Sequence, residues 1–94
     1  MAMLDDVKLA LRVDGNDLDS ELQSLIDAAR ADLKLAGVSA EKADSDDDPL
    51  IRRAIITYCR AHFDVDDWVF ERLLQSYDML KAHLSLAEDY RAVT

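Results

Sequence analysis

Glycine, proline and cysteine are scarce in this 94-residue chain, which holds two, one and one of them. So few breakers argue for helix over sheet, as do the many Leu, Ala, Asp, Glu, Arg and Lys residues. The single Cys59 excludes an internal disulfide and suits a reducing compartment. No run approaches the ~20 apolar residues of a membrane span. Asp5 and Asp6 lie close behind Met1 without an apolar run, which is not the pattern of a signal peptide. Basic residues are also in short supply, 11 against 20 acids, for a net charge of −9. Such a surface repels phosphate, so sequence-specific nucleic-acid binding is not expected. The acids complement a basic partner or simply solvate the surface, and composition leaves both open.

What is present is helical periodicity. The length predicts one domain, residues 1–94, burying roughly 60–65% of its unfolded surface. The chain is organised around Asp48-Pro49-Leu50-Ile51-Arg52-Arg53-Ala54-Ile55-Ile56-Thr57-Tyr58-Cys59-Arg60-Ala61-His62-Phe63. Asp48 is an N-cap, and Pro49 takes the first helical position, where its missing N–H costs nothing. Apolar side chains from Leu50 to Phe63, Tyr58, Cys59 and His62 among them, sweep roughly 240° of this helix. Arg53, Thr57 and Arg60 fill the remaining arc. A helix apolar over most of its circumference must be covered on several sides.

The other segments are its cover. Leu4, Val7 and Leu11 share one face of a short helix over 5–12, with Asp5 and Asp6 at its positive end. Gly15 and Asn16 mark a turn. A second helix over 17–36, capped by Asn16 or Asp17, carries a narrow stripe from Leu18 and Leu22 to Leu33 and Ala36. Gly37 and Val38 then form a Schellman-type stop. Residues 39–47 have charge and no apolar period, which reads as a mobile acidic loop. Asp64 to Asp67 break the chain after the central helix, and Asp66 or Asp67 caps a last helix over 68–86. Its stripe holds Val69, Phe70, Leu73, Leu74, Tyr77, Leu80 and Leu84. The fold expected is all-α: a small four-helix bundle with an acidic loop before the central third helix. Residues 87–94 have no stop signal and are expected to form a flexible tail.

Few constellations suggest chemistry. Asp44, Asp46 and Asp48 alternate as in a calcium loop, but the sixth and twelfth positions are Pro49 and Ile55 where Gly and Glu belong. Cys59 and His62 stand three apart, with His83 the only other soft ligand, too few for a structural zinc site. A buried thiol and a packed histidine account for them. No catalytic motif is recognisable, so no catalytic residue, cofactor or metal ligand is assigned. Arg52, Arg53 and Arg60 form a basic patch, explained by salt bridges to the acidic N-terminal half or by a phosphate or DNA contact, the former being favoured. Trp68, Met79 and Leu86 fall away from the last helix's stripe, which makes them candidates for a subunit interface.

The order of these pieces resembles a known family. Leu4-Asp5-Asp6-Val7 leads into Asp14-Gly15-Asn16-Asp17-Leu18-Asp19-Ser20-Glu21-Leu22. Leu25-Ile26-Asp27-Ala28-Ala29-Arg30, an acidic loop and Asp48-Pro49-Leu50-Ile51-Arg52-Arg53-Ala54-Ile55-Ile56 follow. From Leu4 to about Leu84 this resembles the head–tail connector, or adaptor, proteins of tailed bacteriophages, also described as DNA-packaging proteins. The resemblance implies a structural, non-enzymatic subunit of an oligomeric ring, dodecameric in the virion, beneath the portal. Such a ring extends the DNA channel and meets a downstream tail-completion protein. It implies synthesis in the host cytoplasm, a final place at the head–tail junction, and no membrane. Asp44, Asp46 and Asp47 would then face the portal or the channel. The alternative is a small cytosolic helical interaction or regulatory module.

Overall fold

In the computed structural model, which describes residues 2–63 and 65–92, the three longer partner helices lean on the Pro49 helix. The elements in order are α1 (Met3–Leu11), α2 (Asp19–Leu35), α3 (Ala40–Ala43), α4 (Pro49–Ala61) and α5 (Asp67–Leu86). Helices α1, α2 and α5 all pack on α4. Ile51, Ala54, Ile55 and Cys59 of α4 are fully buried, and Thr57 and Ala61 nearly so. The polar Thr57 is accommodated because its hydroxyl donates to the Arg53 carbonyl one turn back, at 2.8 Å. Two members of the expected apolar sweep are exposed instead. Leu50 is 45% accessible in the first turn, and His62 lies past the last turn as the C-cap. His62 stacks on Tyr58 and meets the edge of Phe70, so it is not a core histidine.

Local signals set most boundaries. The Asp48 carboxylate accepts from the Leu50 and Ile51 amides at 3.0 and 3.2 Å, and Pro49 follows it. Gly37 adopts φ +110°, and the Val38 amide reaches back to the Leu33 carbonyl at 3.0 Å, closing α2 as expected. The N-terminus of α2 differs. Leu18 is its N-cap and makes no side-chain capping bond, so neither Asn16 nor Asp17 serves. Lys8 holds this corner instead: its ammonium pairs with Asp19 at 2.7 Å and bonds the Gly15 carbonyl. Asp66 stands at the N-cap position of α5 but its side chain makes no capping bond, and Asp64 lies outside the described residues.

Among the described residues five helices replace the four expected, because the acidic segment holds α3. Ser39 caps it, accepting from the Lys42 amide at 3.3 Å, and Ala43 is buried. The C-terminal residues also depart from expectation. Rather than fraying, residues 87–92 turn back along the Gly37–Ser39 strand-like step. The Ser39 amide donates to the Tyr90 carbonyl at 2.8 Å and the Ala92 amide to the Gly37 carbonyl at 2.7 Å. The Tyr90 hydroxyl reaches Asp48 at 3.1 Å. Residues 93 and 94 lie outside the described residues.

Helix α5 keeps the inner stripe read from its periodicity. Tyr77 and Leu84 are buried, and Val69, Phe70, Leu73, Leu74 and Leu80 are half-buried. Tyr77 joins α5 to both neighbours. Its ring meets Tyr58 of α4 edge-on at 5.2 Å, and its hydroxyl donates to Asp32 Oδ2 of α2 at 2.6 Å. Lys81 donates to the same oxygen at 3.1 Å. Partial burial pushes the Asp32 carboxyl up, but the two donors outweigh it and hold its pKa below the ordinary value.

Two outcomes follow. Ile55→Asp places an unpaired charge on the most enclosed helix and should cost about 4 kcal/mol or more. Domains of this size have only about 5–15 kcal/mol in hand, so thermal melting should show a fold largely or wholly lost. Tyr77→Phe should cost about 1 kcal/mol at neutral pH, since the acceptor is partly solvated. A carboxylate whose folded pKa is depressed stabilises the fold above its unfolded value and loses that contribution as pH falls. The difference in melting temperature between wild type and Tyr77→Phe should therefore be full above pH 3.8 and shrink below it.

Candidate assembly surface

Once α5 has given its inner stripe to α4, its outer side is left uncovered. Trp68, Met79 and Leu86 are 61%, 67% and 77% exposed, on a line opposite Tyr77 and Leu84. Together with Arg72, Gln75 and Ala82 they recur at alternating steps of four and three residues, and all six are exposed. That is the spacing of a seam between packed helices. Met79, Ala82, His83 and Leu86 line a shallow, mostly apolar cleft near its C-terminal end. Trp68 stands out from the first turn, and the last turn of α5 closes with the Ala87 amide on the His83 carbonyl at 2.9 Å.

Two further exposed leucines were missed in the sequence. Leu9 of α1 is 75% exposed and Leu35 of α2 is 88% exposed. The signal was available, since both fall off the apolar stripes of their helices by the same period that singles out Met79. Leu35 borders a groove with Asp27, Ala31 and Lys34.

The acidic segment is a built loop. The Arg30 guanidinium of α2 donates to the Ala43 and Ser45 carbonyls at 2.9 and 3.1 Å and pairs with Asp46 at 2.6 Å. Lys34 pairs with Asp44 at 2.8 Å. Asp48 caps α4, so the three alternating aspartates face three different partners and do not converge. Asp47 is exposed and makes no ion pair among the described residues. Periodicity carries no trace of Arg30's role, because it links residues 13–16 apart in the chain.

The remaining candidates separate. Burial pushes the Cys59 thiol up to about 12, so it stays protonated and inert at neutral pH. His62 is exposed on the helix end, and the two do not share a site. Of the basic patch, Arg52 approaches Asp6 at 4.0 Å. Arg53 and Arg60 are exposed and form no ion pair among the described residues. Among the described residues no helix is long and apolar enough to cross a membrane.

An uncovered apolar helix face of this kind often marks a contact surface. The comparison with protein families agrees: the model for the phage connector protein family matches residues 3–91, and this chain belongs to that family. No curated protein and no solved structure matches it. Membership makes the chain a structural phage component with a connector role.

The Arg30 clamp gives a direct test. Arg30→Ala removes two bonds to backbone carbonyls and one charged pair, and should cost about 1–3 kcal/mol. Amide exchange should accelerate across Ala43–Asp48 while Ala54–Cys59 stays protected.

Proposed function

We propose that this chain is a subunit of an oligomeric ring, dodecameric in the virion, that joins the portal of the capsid to the tail and extends the DNA channel. The observation that carries the reading is the uncovered line of Trp68, Met79 and Leu86 on a chain of the connector family. Three large apolar groups exposed on one helix of so small a domain call for a protein surface to cover them. In a ring, one contact repeated by a single rotation does so for every copy.

The acidic loop takes the second role. Asp44 and Asp46 are tied to Lys34 and Arg30 and hold the loop in shape, which leaves Asp47 as the acid it presents. The loop faces the channel or the portal. A negative lining repels the phosphate backbone, so DNA passes without adhering. The portal on one side and a tail-completion protein on the other are the partners of this reading. No sequence-specific DNA contact belongs to it.

Deleting the gene from the phage that encodes the protein tests it. Filled or leaking capsids without attached tails are the expected product, seen by electron microscopy, and expression of the wild-type chain in trans should restore tails. Normal tailed, infectious particles from the deletion would overturn the assignment to the head–tail junction.

A further inference from the structure

Within a ring each subunit needs two different faces, and the structure shows one on α5. We propose that the outer face of α5 in one copy docks antiparallel on the outer face of α2 in the next, with Trp68 against Leu35. This rests on the ring reading above and names the surface that covers Trp68 and Met79.

The two faces match in spacing and size. On α2, Ser24, Ala28, Ala31 and Leu35 recur at steps of four, three and four residues, and all are exposed. On α5 the same steps carry Trp68, Met79 and Leu86. Large side chains on one helix and small ones on the other interdigitate at close approach, as facing seams require. Leu35, the most exposed of the large apolar residues, lies beside an open groove at the C-terminal end of α2. With Trp68 on Leu35, Met79 comes opposite Ser24 and Leu86 overhangs the start of α2 at Asp19.

Charge sets the direction. By the helical period, Arg72 and His83 flank the α5 seam on one side, and Glu71 and Asp78 on the other. On α2, Glu21 and Asp32 lie on the flank equivalent to that of Arg72, and Asp27 and Lys34 on the opposite one. Antiparallel helices bring equivalent flanks together. With Trp68 on Leu35, Arg72 then comes opposite Asp32 and His83 opposite Glu21, in one register, while Glu71 meets Lys34. Asp32 has an oxygen to offer, because Tyr77 and Lys81 both use Oδ2. Asp78 meets Asp27, the one like-charged pair, and Asp78 is already held by Lys81 at 3.7 Å. A parallel arrangement sets Glu71 and Asp78 against Glu21 and Asp32. Pairing α5 with a second α5 fares no better. Antiparallel, it puts the two Glu71 and Asp78 flanks together; parallel, Arg72, which also lies on the seam line, meets its own copy. Opposed like charges select against such pairings.

Leu35→Glu and Met79→Glu change exposed residues, so both variants should keep the wild-type circular dichroism and melting temperature. Each should lose every species above the monomer in sedimentation at concentrations where the wild type assembles. Mixed in equal amounts, they should form a one-to-one dimer and nothing larger, because each supplies the face that the other lacks. Trp68→Cys combined with Leu35→Cys should give a ladder of cross-linked chains on oxidation; Leu86→Cys with Leu35→Cys should not. Wild-type assembly by Leu35→Glu, or a ladder from the Leu86 pair, overturns the proposal. So does a wild-type chain that stays monomeric to its solubility limit with neither cysteine pair cross-linking. None of these outcomes depends on the gene deletion, which tests the place in the virion alone.

Discussion

Enclosure of α4 is the constraint on which the rest of the structure depends. Ile51, Ala54, Ile55 and Cys59 point in too many directions for one neighbour to cover them, so α1, α2 and α5 must each give α4 an apolar side. A helix that spends its inner face this way has only its outer face for anything else. On α1 and α2 that face carries one large apolar residue each, Leu9 and Leu35, among alanines and polar residues; on α5 it carries a tryptophan, a methionine and a leucine. The apolar line on the outside of α5 is therefore a by-product of how the core is closed: what the centre does not need is displayed outside.

The acids do more than keep the surface solvated. Asp19, Asp32, Asp44, Asp46 and Asp48 each accept a cation or a hydroxyl from a distant part of the chain. Most such pairs contribute little singly, because they are partly exposed. Their effect is positional. Asp32 fixes α5 against α2 through Tyr77 and Lys81, which sets the relation between the two outer faces. Asp48 starts α4 and also receives Tyr90 from the C-terminal turn. The acidic charge is thus partly committed to holding the fold, and Asp47 is left to the outside.

Membership of the connector family and the physical surface point the same way, by independent routes. The family match spans the chain from the first residue of α1 to the residue that bridges Val38. The surface argument uses only exposure and helical period.

Local chemistry determined a good deal by itself. Asp48-Pro49 starts α4 and Gly37-Val38 stops α2 because capping and left-handed glycine act within one turn of chain. The inner stripe of α5 and its leftover Trp68, Met79 and Leu86 follow from a 3.6-residue period that needs no partner to be read. Tertiary structure decided the rest. Residues 40–43 become a helix because Arg30 and the core beneath Ala43 hold them there, and the last turn is pinned because Tyr90 finds Asp48 across 42 residues. His62 leaves the core because α4 ends one residue before it. Each of these depends on a contact far away in sequence, whose free energy exists only once α4 has been enclosed, and no local pattern can announce it.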